Sequence, residues 1–104
     1  MMTTPLQLRT ERADDGSLLL AAVGELDLSN IAEFTAAVAE MVADQPDSPM
    51  TVDLSAVEYL DSGAINVLFG HVGRIRRIVV NPILMPVLRV SGLTAVAAVV
   101  VPDG

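Results

Sequence analysis

The residues with the types and spacing to do chemistry are Asp61, Ser62 and Gly63. A carboxylate and a hydroxyl stand side by side, followed by a glycine, where an apolar stretch gives way to helical spacing. Small polar side chains are favoured at helix starts because their oxygens accept backbone N–H groups that have no intrahelical partner. Those N–H groups and the helix dipole also suit a phosphate. Two readings of Ser62 therefore stand together: a helix cap, worth about 1 kcal/mol, and an acceptor for a phosphoryl group. Asp61 likewise reads as a favourable charge near the helix dipole, or as the group that positions the hydroxyl and meets a partner.

Other combinations are weaker. Ser62, His71 and an Asp would suggest a hydrolase, but the nucleophile elbow needs Gly-x-Ser-x-Gly, and Leu60 and Ala64 occupy the two glycine places. His71 also falls near the opposite end of the helix from Ser62. No residue is assigned a catalytic role. Arg74, Arg76 and Arg77 form the one basic cluster of an acidic chain and could receive an acidic partner or a phosphate. The simpler reading is a solvated C-terminal end of the second helix. There is no Gly-rich phosphate loop. One His and no Cys make a metal site unexpected, and no cofactor is indicated.

The elements that position Asp61–Gly63 follow from periodicity. Leu6 to Arg9 alternates as a half-exposed strand, Asp14 to Ser17 is a turn, and Leu18 to Val23 is a more buried strand, together a hairpin. Asn30 with Glu33 reads as a capping box. Phe34, Val38, Met41 and Val42 mark one apolar helix face, which Pro46 and Pro49 stop. Met50 to Leu54 is the next strand, and strand–helix–strand suggests a parallel pair. Ser62 then caps a helix carrying Ile65, Leu68, Phe69 and Val72. Ile78 to Val80 should be a strand. Asn81-Pro82 looks like an N-cap with Pro at the first helical position, although Pro86 requires either a kink or a later start. Gly92 stops that helix, and Ala95 to Val101 reads as a last strand.

Composition bounds the rest. The chain has 104 residues, enough for one compact domain, here read as residues 1–104. Six Arg, no Lys and thirteen acids give a net charge of −7, which argues against nucleic acid as a partner. With no Trp, one Tyr and two Phe, the core must be aliphatic. The first ten residues carry no apolar signal segment. The run Ala95 to Val101 is too short to cross a bilayer, so a cytoplasmic protein without a membrane partner is expected.

Three motifs in order then resemble a known family. Gly24-Glu25-Leu26-Asp27 precedes the first helix, Val52-Asp53-Leu54-Ser55 leads to Tyr59-Leu60-Asp61-Ser62 at the second, and Arg89-Val90-Ser91-Gly92-Leu93 closes the third. This resembles the STAS domain of bacterial anti-sigma factor antagonists, over about Leu18 to Val101. The resemblance implies a mixed α/β sheet of four or five strands with helices mainly on one face; a monomer or weak dimer is expected. It implies a protein that binds an anti-sigma factor, usually a serine kinase, and so frees a sigma factor. Phosphorylation of a Ser at the start of the second helix would abolish binding, and a phosphatase would restore it. On this chain the implied phosphorylation site is Ser62, and the implied partner surface comprises Asp27, Asp61, Ser62, Gly63 and Asn66. The alternative is a constitutive interaction module with the same fold and no switch.

Two departures qualify the resemblance. The family usually places the phosphorylated Ser immediately before the Gly of Asp-Ser-Ser-Gly or Asp-Ser-Ala-Gly. Aligned without a gap, that position here is Gly63; a one-residue slip would give it to Ser62, but the apolar spacing from Ile65 to Gly70 fits the ungapped alignment better. The stretch between Gly70 and Pro82 is also shorter than usual, so the second helix and the next strand must share few residues.

Overall fold

A computed structural model describes residues 5–102. Gln7–Arg12 (β1) and Leu18–Leu26 (β2) form the expected antiparallel hairpin, with Arg12 opposite Leu18. Ile31–Asp44 (α1) carries the chain to Met50–Leu60 (β3), which pairs parallel with β2. Ser62–Gly70 (α2) leads to Ile75–Val80 (β4), parallel to β3. A 3-10 turn at Pro82–Leu84, then Met85–Ser91 (α3) and Leu93–Val96 (α4), lead to Val99–Val100 (β5), parallel to β4. The sheet order is β1-β2-β3-β4-β5.

Parallel neighbours need crossovers, and crossovers are right-handed. A chain stepping one way across the sheet therefore puts its helices on one face. Burial agrees. Leu18, Leu20 and Ala22 of β2, Met50, Val52 and Leu54 of β3, and Ile78 and Val80 of β4 share a core with Phe34 and Val38 of α1, Leu68 of α2 and Leu88 of α3. The alternate positions Val23, Thr51, Asp53, Ser55 and Val79 are partly or fully exposed. Phe34 is fully buried; burying such a side chain stabilises by about 1.5–3 kcal/mol, which anchors α1 to the sheet.

β3 overturns one expectation. The segment after Leu54 reads as a turn, yet the strand runs on to Leu60. The register with β2 slips twice, between Ala21 and Val23 and between Gly24 and Glu25, each time with an extra residue on β3. Each such bulge shifts the phase of alternation by one, so the buried residues are spaced by three: Leu54, Val57, Leu60. Opposite the second bulge Gly24 has φ of 113°, a backbone conformation that favours glycine.

The short segment after α2 is accommodated by ending the helix early. Gly70 is its last residue, so Val72 lies in the following turn, and β4 begins at Ile75 rather than at Ile78. Arg76 and Arg77 are thus both exposed on β4, where a register slip against β3 turns the two outward together. The placement of the arginines at a helix end is corrected accordingly: Arg74 is in the turn and its neighbours are in the sheet. Pro82 opens the 3-10 turn with the Asn81 side chain accepting from the Ile83 N–H at 3.1 Å, and α3 then starts so that Pro86 falls in its first turn. The last strand is far shorter than the Ala95 to Val101 run, because Leu93–Val96 forms a helical turn after Gly92.

Two glycines with open space around them predict opposite outcomes. A Cβ at Gly70 or at Gly92 would meet nothing within 4 Å, but Gly92 has φ of 89° and Gly70 is helical. Gly70→Ala should raise the unfolding free energy by about 0.4–1 kcal/mol, and Gly92→Ala should lower it by about 1–2 kcal/mol. Urea unfolding of the two variants checks both signs.

Candidate functional site

Leu26 of β2 and Leu60 of β3 are paired neighbours, so Asp27 and Asp61, the residues that follow them, emerge side by side at the carboxyl ends of adjacent parallel strands. Loops at this end are the usual binding end of open α/β sheets. The Asp61 N–H donates to the Leu26 carbonyl at 3.1 Å. Its Oδ1 accepts from the Ala64 N–H at 3.2 Å, and its carbonyl accepts from the Ile65 N–H at 3.2 Å. Asp61 is therefore the N-cap of α2.

This corrects the assignment of the cap to Ser62. The longer reach of the carboxylate takes the Ala64 N–H, and Ser62 becomes the first helical residue, with an exposed side chain. The helix gives no intrahelical partner to the Ser62 and Gly63 N–H groups, so two free amides lie beside that hydroxyl. Asn66 is exposed one turn further along, at the i+4 position from Ser62. Gly63 lies close to both helices: a Cβ there would be 3.2 Å from Asp61 Oδ1 and 3.9 Å from the Ile31 side chain at the start of α1.

The loop between β2 and α1 is tied by its own side chains. Asn30 occupies the N-cap position of α1 but makes no side-chain cap bond, so the expected capping box with Glu33 is absent. Its amide is turned back instead, with Oδ1 accepting from the Asp27 N–H at 3.0 Å and Nδ2 donating to the Glu25 carbonyl at 2.7 Å. Asp27 Oδ1 accepts from the Ser29 hydroxyl at 2.5 Å and from the Ser29 N–H at 2.9 Å. These donors hold the Asp27 carboxyl below its ordinary 3.8. Leu28, at the tip, is 82% exposed. Sequence reasoning passed over it. The signal was a large apolar residue inside Asp27-Leu28-Ser29-Asn30, a run of turn formers with no strand or helix to bury it.

The site thus unites Asp27, Asp61, Ser62, Gly63 and Asn66 on one end of the sheet, with Leu28 added. It leaves out His71, which caps the far end of α2 with Nδ1 3.0 Å from the Val67 carbonyl oxygen. The arginine cluster is also elsewhere: Arg77 pairs with Thr51 at the amino end of β3. What remains is an acidic surface, tied by local hydrogen bonds, that offers one free hydroxyl and one apolar side chain. It suits recognition by another protein.

Comparison with known proteins identifies the family. Residues 10–101 match the family described as "Mlab, STAS domain", and the chain belongs to the STAS family. Over 68 residues it is 38% identical to the anti-sigma-F factor antagonist RsfB of Mycobacterium tuberculosis, covering 64% of this chain. That match spans only 55% of RsfB. An anti-sigma factor antagonist from Mycobacterium paratuberculosis superposes with a TM-score of 0.83 at 23% identity, covering 95% of this chain and 90% of the other. The anti-sigma factor antagonist SpoIIAA in its unphosphorylated form gives 0.73 at 14% identity, covering 93% and 89%. At these identities the two structures establish a shared fold, a five-stranded mixed sheet with helices.

Two predictions follow from the local bonding. Asp61→Ala should cost about 1 kcal/mol of stability, while Asp61→Asn, an equally good cap, should cost much less; urea unfolding at neutral pH separates them. A carboxyl whose folded value is depressed stabilises the fold above its unfolded value, near 3.8, and loses that contribution as pH falls through the folded value. Ser29→Ala should therefore return the Asp27 titration toward 3.8, read by NMR, and narrow the acid range over which this residue supports the fold.

Proposed function

We propose that this chain is a cytoplasmic anti-sigma factor antagonist. It binds an anti-sigma factor of the serine-kinase class through the end of the sheet bearing Asp27, Leu28, Asp61, Ser62, Gly63 and Asn66, and so releases a sigma factor. The named relatives support the general role. Regulation is by phosphorylation of Ser62, reversed by a phosphatase. The observation that carries this reading is that Ser62 is exposed at the first turn of α2 while Asp61 has taken over the capping. A phosphoryl group there would add close to two negative charges beside free amides and a helix dipole that tolerate them. It would also stand next to Asp61 in a partner interface fitted to a neutral hydroxyl, where like charges are costly. The role is binding rather than catalysis.

A second reading is supported by Gly63. If the family's acceptor position is the one this glycine occupies, the chain is a constitutive binder with no switch. The tight 3.2 Å approach of a Cβ at that position to the capping oxygen of Asp61 is consistent with a glycine retained for the geometry of the cap.

The test is a pull-down of the purified chain with an anti-sigma serine kinase from the same cell, in ADP, followed by kinase assay in ATP and mapping of the modified residue. Ser62→Ala should bind and remain unmodified, and Ser62→Asp should bind at least about tenfold more weakly, a difference of about 1.4 kcal/mol. Equal binding by Ser62→Asp, with no modification of the parent chain, would establish the constitutive reading. No binding by the parent chain would dismiss the antagonist role.

A further inference from the structure

Charge is divided unevenly along this chain. Residues 1–61 carry twelve of the thirteen carboxylates and two arginines, a formal charge of −10; residues 62–104 carry four arginines and one carboxylate, +3. The fold keeps the division in space, because β1, β2 and β3 with α1 form one end of the strand order and β4 and β5 with α3 and α4 the other. The α3 side presents uncovered apolar side chains. Val90 is 89% exposed, Ile83 66% and Val87 43%, with Pro86 and Arg89 exposed among them. Leu84 and Leu88 point inward, so this is the outward face of a helix whose inward face is already in the core. Isolated exposed apolar residues need no explanation, but a contiguous ridge of them marks an interaction surface.

A complementary surface lies on α1. Its exposed Glu40 and Asp44 are one turn apart, and they border a surface hollow of about 580 Å3 lined also by Thr10, Ala37, Met41 and Ala43. The small side chains of Ala37 and Ala43 leave room for a knob from another helix, and the rim is acidic. An apolar ridge with an arginine beside it is complementary in sign to a hollow that has small and apolar side chains inside and carboxylates at its rim. We propose that the occupant of the α3 ridge is the α1 hollow of a second copy of this chain. Val90 and Ile83 enter the hollow and Arg89 meets Glu40 and Asp44. The hollow lies beside the edge strand β1 and the ridge toward the other edge strand, β5, so the contact is heterologous: each added copy leaves one free ridge and one free hollow, and association continues into open chains or closes into a ring. Asp27, Asp61 and Ser62 are not among the residues that meet in this contact, so the inference does not rest on the proposed antagonist role.

The experiment is sedimentation velocity on the full chain over a wide dilution series. The parent chain should associate with concentration, and the association should weaken in molar salt, where the Debye length is about 3 Å. Arg89→Glu with Val90→Glu breaks the ridge, and Glu40→Gln with Asp44→Asn neutralises the hollow rim. Each double variant alone should associate at least about tenfold more weakly. Mixed together, they should form a one-to-one dimer, because one keeps its hollow and the other its ridge. The substituted positions are all exposed, and Arg89→Ser with Val90→Ser serves as a milder ridge variant if the first fails to fold. A parent chain that stays monomeric throughout overturns the proposal. So does association of the parent chain with no dimer in the mixture, which would identify a symmetric contact of like surfaces instead.

Discussion

Asp61 is the residue on which the arrangement of this end of the molecule depends. Its N–H holds the end of β2, its side chain caps α2, and its carbonyl begins the helical ladder. One residue thereby fixes three things: where β3 stops, the direction in which α2 leaves the sheet, and the separation of α2 from the β2–α1 loop. The loop is self-supporting, through the Asn30 amide and the Asp27–Ser29 pair, but its placement against α2 passes through the Leu26–Asp61 bond. The Ile31 side chain at the start of α1 lies near Gly63, where an added Cβ would come within 3.9 Å of it, so the two helix starts stand side by side.

The sequence was most legible where one periodicity ran unbroken. The faces of α1 and α2, the β1–β2 hairpin and the parallel step from β2 to β3 all rest on apolar spacing that tertiary packing uses directly. It was least legible where the backbone departs from regular geometry. The two bulges in β3 convert an alternating pattern into a spacing of three, so a strand of eleven residues looked like a strand and a turn. A similar slip in β4 brings Arg76 and Arg77 outward together and hides the strand's start. The Val-rich tail has strong strand character, yet the left-handed Gly92 turns the chain into α4 and leaves only two residues to pair with β4.

At the site the legible part was residue choice and the illegible part was role. Asp61, Ser62, Gly63 and Asp27 converge because two adjacent parallel strands end at the same level, which the motif order foreshadowed. Which of Asp61 and Ser62 would cap could not be read from type alone, since both are good N-caps. The decision lies in the strand end: the Leu26 carbonyl takes the Asp61 N–H, which places the Asp61 side chain over the first turn and leaves Ser62 one position inside the helix. Asn30 failed as a cap for a related reason. Its amide found better partners in Asp27 and Glu25, across the loop, than in the helix it precedes.

That division of labour bears on the regulation proposed for Ser62. A serine that caps a helix is bound to its backbone, and modifying it would remove a bond worth about 1 kcal/mol from the fold. Here the cap is a carboxylate, and the hydroxyl next to it is free. Charge could be added at Ser62 with the Asp61 bonds intact, so a phosphoryl group would change what a partner meets without first undoing the helix start. The adjacent carboxylate and the free amides then act in opposite senses on such a group. The amides and dipole stabilise it in the isolated domain, while Asp61 adds to the negative charge facing a partner. A switch that alters binding strongly and stability weakly requires that combination, and it follows from which of two neighbouring residues closes the first turn of α2.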